Sequence, residues 1–182
     1  MRKKPPVFLF MLLLLLWVGM IFLFSSQSGT ESYGESASVS RWLAGILYPD
    51  FSAASSSRQT EILESLEPLL RKGAHYLEYS VLGFLGFLAV RGVMIGRRAR
   101  SKTRKPFSKM GCGLVAFYPC VLIATCDEVL QTHVGGRTSS VLDVLLDCAG
   151  ILTGLILCGV MTSHVVFVSK PPENRHRKGG AV

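Results

Sequence analysis

No two of the five cysteines form a CxxC pair, and Cys112, Cys120, Cys126, Cys148 and Cys158 all fall inside apolar runs. That argues against a disulfide framework or a cysteine-ligated zinc site. They read instead as small, polarizable packing residues. No HExxH or comparable ligand spacing occurs, so neither a metal nor another cofactor is expected. Acids are scarce, 12 Asp and Glu against 20 Lys and Arg, a net charge of +8. Such an excess can serve nucleic acid, but no basic face is interleaved with base-stacking aromatics, so nucleic acid is set aside as a partner. The basic residues crowd beside apolar runs, as they do on the cytoplasmic flanks of membrane spans. No A-x-A site follows the first apolar run, Val7 to Phe24 after Arg2-Lys3-Lys4. That run also exceeds a typical signal-peptide core, so an uncleaved first span is expected.

What the chain does have is apolar length. Its 182 residues suit one domain, 1–182, and 49% of them are hydrophobic. A helix needs about 20 largely apolar residues to cross the hydrocarbon core. Four segments qualify: about 7–24, 74–96, 110–130 and 140–163. The expected fold is therefore all-α, a polytopic four-transmembrane-helix bundle, with a kink at Pro119. The connection 97–109 carries seven Lys and Arg and no acid, and the tail 164–182 carries Lys170, Arg175, Arg177 and Lys178. The other side holds only Arg41, Arg58, Arg71, Lys72 and Arg137. By the positive-inside rule both termini face the cytoplasm and the connection 25–73 faces out. Within that connection Ser32 with Glu35, and Ser56 with Gln59, resemble helix starts. Val39, Trp42, Leu43, Ile46 and Leu47 then recur at helical spacing, as do Ile62, Leu63, Leu66, Leu69 and Leu70. Two amphipathic outer-face helices are expected, the second bent at Pro68 before span two. The polar stretch SSQSGTESYGES ahead of them looks flexible. Gly92/Gly96 and Gly150/Gly154 are GxxxG pairs that permit close helix approach, and Cys158 continues the second row.

Ionisable residues concentrate at one end of the spans. Arg71, Lys72, His75 and Glu78 open span two, Asp127, Glu128 and Gln131 close span three, and Arg137, Asp143 and Asp147 lie in the hairpin and the start of span four. His75, Glu78 and Tyr79 share a helix face, and so do Asp143 and Asp147. Asp147 should lie roughly 6 Å deeper than Asp143, at about 1.5 Å per residue. Carboxylates at that depth call for partners such as Arg137, Lys72 or His75. Ser140 spaced three before Asp143 is a plausible cap, so Asp143 serves either the helix start or a site. The cluster as a whole is either polar glue or a functional site, and capping does not account for Asp147. Gly135-Gly136 suits the tight turn between the last two spans.

Three pieces of this chain resemble the VanZ-like family of small bacterial membrane proteins: FSSQSG at 24–29, KGAHYLEYSVLG at 72–83 and DEVLQTHVGGRTSSVLDVLLDCAGILTG at 127–154. The likeness spans most of residues 7–162. Lys72, His75, Glu78, Asp127, Glu128, Gln131, Arg137, Asp143 and Gly150 match the family's polar motifs, whereas Cys148 stands where members typically have Asn. The resemblance implies about four spans, a bacterial cell membrane and a link to teicoplanin-type glycopeptide resistance. It implies no reaction.

The leading expectation is a non-enzymatic protein that binds a membrane lipid, a lipid-linked envelope molecule or an amphiphilic antibiotic at the outer leaflet. Its ligand-binding residues would be Lys72, His75, Glu78, Asp127, Glu128, Gln131, Arg137, Asp143 and Asp147. Arg137, Lys72 and His75 suit an anion, and the acids suit a cation. A rival is an intramembrane enzyme using His75 and Glu78, or Asp127 and Asp143, as acid and base on a lipid-linked substrate. Proton-coupled transport is a third option. Four spans are few for it unless the protein forms a homodimer, and no inverted repeat relates the halves.

Overall fold

The computed structural model describes residues 7–27, 29–100, 108–134 and 140–168. Five helices follow in chain order: α1 (Val7–Ser25), α2 (Gly29–Leu47), α3 (Ser56–Arg100), α4 (Lys109–Gln131) and α5 (Val141–Val168). A short 3-10 turn, Phe51–Ala53, joins α2 to α3. Among the described residues there is no strand, and four helices, all but α2, are long and apolar enough to cross a membrane. The fold is an all-α polytopic bundle.

The central helix is α3. Its 45 residues make a rod of about 68 Å at about 1.5 Å per residue, roughly twice the thickness of a hydrocarbon core. Only the second half can lie in the membrane. The first half projects, and α2 with the 3-10 turn packs on it. Ala44, Ile62 and Leu66 are buried there, with Leu43, Phe51, Leu63 and Leu70 around them. The Gln59 side-chain amide donates to the Phe51 and Ala54 carbonyls, each at 3.1 Å, and fixes the corner.

Two expectations change in detail. The amphipathic segment at 56–70 is not a separate helix, because α3 runs without interruption through Pro68 into the span. A proline costs a helix one backbone hydrogen bond and sets its ring against the carbonyl of the preceding turn; apolar contacts on both sides of Pro68 favour a helix that runs across it. The first amphipathic helix starts at Gly29, within the stretch that looked flexible. α4 likewise continues through Pro119.

Small residues set the bundle's tightest seam. A Cβ on Gly150 would meet the Tyr76 carbonyl oxygen at 2.5 Å, and one on Gly154 would overlap the Ser80 carbonyl. From the other side, Gly83 lies directly against the Ile151 backbone. Residues 76, 80 and 84 thus pair in rising order with 150 and 154, so α3 and α5 run parallel with their backbones in contact. Gly92 instead packs on Val7 of α1, while Gly96 faces open space. α4 runs antiparallel to α3, with the Cys120 thiol 3.9 Å from the Leu82 carbonyl. α1 is apolar all round and buries only Ile21 and Ser25. The Trp17 indole N–H donates to the Glu78 carbonyl at 3.0 Å and fixes its height along α3. Phe8, Leu15, Leu122, Ile156 and many other large apolar side chains face outward, as a lipid-exposed surface requires.

Candidate binding site at one end of the bundle

The polar side chains buried within the spans lie at one level: Ser25, Asp127, Glu128, Gln131 and Asp147. They come from α1, α4 and α5 and meet α3 where it emerges from the bundle. Antiparallel packing of α1 and α4 on α3, and parallel packing of α5, bring these four helix segments to the same height.

One group is a hydrogen-bond network centred on Asp127 Oδ2 and the Gln131 amide. The Tyr79 hydroxyl donates to Asp127 Oδ2 at 2.9 Å, and Gln131 Nε2 donates to the same oxygen at 2.9 Å. Gln131 Nε2 also reaches Ser25 Oγ at 3.4 Å, and Arg71 Nη2 donates to Gln131 Oε1 at 3.3 Å. Tyr79, Asp127 and Gln131 are completely buried. The network links α1, α3 and α4, and satisfying both sides of the Gln131 amide is what makes so polar a residue tolerable there.

The second group lines a cavity of about 310 Å³, formed by Glu67, Pro68, Arg71, Lys72, His75, Glu128, Asp143, Leu146 and Asp147. Arg71 belongs to both groups. At the mouth, Asp143 is tied to the start of α5: its N–H donates to Ser140 Oγ at 3.3 Å, and that hydroxyl donates back to Asp143 Oδ2 at 2.8 Å. Asp143 therefore serves the helix start and lines the cavity as well. One turn deeper, Asp147 is completely buried. His75 Nδ1 stands 3.6 Å from Asp147 Oδ1, and the imidazole stacks on Tyr79 with ring centroids 6.2 Å apart. Among the described residues, His75 Nδ1 and both Asp147 oxygens make no hydrogen bond. A buried carboxylate without donors is expensive; the network's Asp127 has one such oxygen, Oδ1, whereas Asp147 has two.

Of the expected site residues, Lys72, His75, Glu128, Asp143 and Asp147 line the cavity, whereas Asp127 and Gln131 form the network behind it. Glu78 is not among the lining residues, and the group facing His75 in an ion-pair geometry is Asp147. Arg137 lies outside the described residues. Ser25 and Glu67 carry parts of the site that sequence reasoning left out of it, and Arg71, counted in the ionisable cluster, was not among the expected ligand-binding residues. Arg71 had a signal, since positions 71, 75 and 79 recur every four residues and share one face of α3. Ser25 had none, because its role depends on how α1 meets α4.

A family model described as VanZ/LLP1 matches residues 10–162, which take in the cavity, the network and the four apolar helices from Phe10 to Thr162. Comparisons with curated proteins and with solved structures give no match. With that match over most of its length, this multi-pass membrane protein belongs to the VanZ/LLP1 family.

Proposed function

We propose that the cavity binds the polar head of an amphiphile in the outer leaflet of a bacterial cell membrane, a lipid or a lipid-linked envelope molecule, and that this binding underlies a contribution to teicoplanin-type resistance. The observation that carries the reading is the cavity's setting. Its volume of about 310 Å³ falls at the small end of ligand pockets and suits a headgroup. Its wall mixes Arg71 and Lys72 with Glu67, Glu128, Asp143 and Asp147, which matches a head bearing both a phosphate and an amine. Exposed Leu69, Leu77, Val141 and Leu142 occupy the same helix segments and offer an apolar surface to the tails. The distribution of Lys and Arg supports an orientation with both termini in the cytoplasm, which puts the cavity at the outer leaflet.

Native mass spectrometry of the detergent-purified full chain tests the proposal. Wild type should retain lipid, and Arg71→Ala should weaken retention by about 1.5–3 kcal/mol, more than tenfold, the size of a lost charge-assisted contact. Equal retention by both proteins would overturn it. The catalytic alternative draws on the His75 and Asp147 pair at 3.6 Å. It predicts that His75→Gln keeps the lipid bound and stops its conversion.

A further inference from the structure

His75, Glu128 and Asp147 come from three different helices, α3, α4 and α5. Each offers one ligand atom, and the three atoms lie within 4.8 Å of one another. We propose that these residues hold a divalent transition-metal ion, of which zinc is the representative, at the inner end of the cavity.

Four observations carry this. The first is donor geometry. Tetrahedral zinc bound at about 2.0–2.1 Å separates its ligand atoms by about 3.3 Å. The His75 Nδ1 to Asp147 Oδ1 separation of 3.6 Å is within a few tenths of that, and a Glu128 oxygen lies within 4.8 Å of both. The second is unmet demand. Asp147 is fully buried, and its two oxygens and His75 Nδ1 make no hydrogen bond among the described residues. A cation bound between His75 Nδ1 and one Asp147 oxygen answers both of those atoms, and a water or anion held on the same ion can donate to or neutralise the second carboxylate oxygen. The third is ligand chemistry. An imidazole with two carboxylates favours a first-row transition ion over magnesium or calcium, which prefer all-oxygen sets. The fourth is openness. Three protein ligands beside a cavity leave a coordination position for water or an anion, the pattern of a reactive or ligand-exchanging site and not of a closed structural one.

No linear spacing announces this set. The ligand positions are 75, 128 and 147, and only the parallel packing of α3 with α5 and the antiparallel packing of α4 bring them to one point. Behind His75, the stacked Tyr79 fixes the ring and itself donates to Asp127. Arg71 and Lys72 sit on the wall of the same cavity and suit an anion bound beside the ion.

The proposal does not rest on the headgroup reading, and one set of measurements separates the two. Full-length protein in detergent is stripped with chelator, reloaded with zinc, desalted and assayed for metal by mass spectrometry. Wild type should keep about one zinc per chain, and Glu128→Gln and Asp147→Asn should each weaken it by more than tenfold. His133→Gln, at an exposed histidine outside the cluster, should keep it. Zinc should also raise the unfolding temperature of wild type and not that of Glu128→Gln, because the ion binds only where three helices have met. Cobalt reports on the wild-type site directly. Ligand-field absorption should appear on loading and be displaced by zinc, so the proposal stays testable even if a variant fails to fold. Wild type without stoichiometric zinc or a cobalt spectrum would overturn the proposal. So would metal that survives both Glu128→Gln and Asp147→Asn. Lipid retained by the metal-free protein in native spectra would leave the headgroup reading standing when the metal fails. Metal bound without lipid would do the reverse.

Discussion

Replacing Tyr79 with Phe removes one hydroxyl from the centre of the bundle and little else. The ring is completely buried, so Phe keeps the packing volume. What is lost is the 2.9 Å bond to Asp127 Oδ2. That oxygen then keeps only Gln131, and Asp127 Oδ1 makes no hydrogen bond among the described residues. A hydrogen bond to a carboxylate contributes about 1.5–3 kcal/mol, and the change leaves the buried Asp127 with Gln131 as its one hydrogen-bond donor among the described residues, which puts the cost in that range. Tyr76 provides the matched comparison. Its hydroxyl meets Thr153 Oγ1 at 2.8 Å on the same helix pair as the glycine seam, and Thr153 keeps its own bond to the Ala149 carbonyl at 3.0 Å. Tyr76→Phe strands nothing, and neutral interhelical bonds in membrane bundles average about 0.6 kcal/mol. The difference between the variants should thus be about 1–2 kcal/mol, a factor of roughly 5–30 in the folding equilibrium. Reversible unfolding in mixed micelles, or steric trapping in bicelles, measures both. If Tyr79→Phe unfolds no more easily than Tyr76→Phe, Asp127 does not depend on that hydroxyl, and the network does not hold the site in place.

The α3–α5 seam predicts that Gly154→Ala destabilises by about 1–3 kcal/mol or more, because its Cβ would fall on the Ser80 carbonyl. Gly96→Ala faces open space and should be neutral or stabilising by up to about 1 kcal/mol; equal effects in a thermal melt would refute the close approach. Ser140→Ala removes both bonds to Asp143 and should cost about 1 kcal/mol, the usual size of a lost helix cap, in a thermal melt. Orientation is tested by a membrane-impermeant thiol reagent on intact cells. Cysteine at position 55 should react and cysteine at position 103 should not, and the opposite pattern would invert the topology.

Most of the architecture follows from local rules. Runs such as Val7 to Phe24 cannot be satisfied in water, and a backbone in lipid must bond within itself, so length and hydropathy alone imply four spanning helices. The depth of the polar cluster was legible in the same way. His75, Asp127 and Asp147 each sit at a countable distance from the end of an apolar run. Continuity through Pro68 was not legible, because a proline's local cost is offset by contacts with α2 that no local pattern contains. Partnership was not legible either. His75 could have met Glu78 on its own helix, and only the parallel backbone contact of Gly150 and Gly154 with α3 places Asp147 at 3.6 Å instead. Asp127 and Asp147 look alike in the sequence, two acids at the ends of spans. One is enclosed by Tyr79 and Gln131, and the other opens on a cavity without a donor. Hydrophobic length is a property of each segment and is written into it. Which side chains meet depends on helix direction, height and rotation, and those are set only when all four spans pack together.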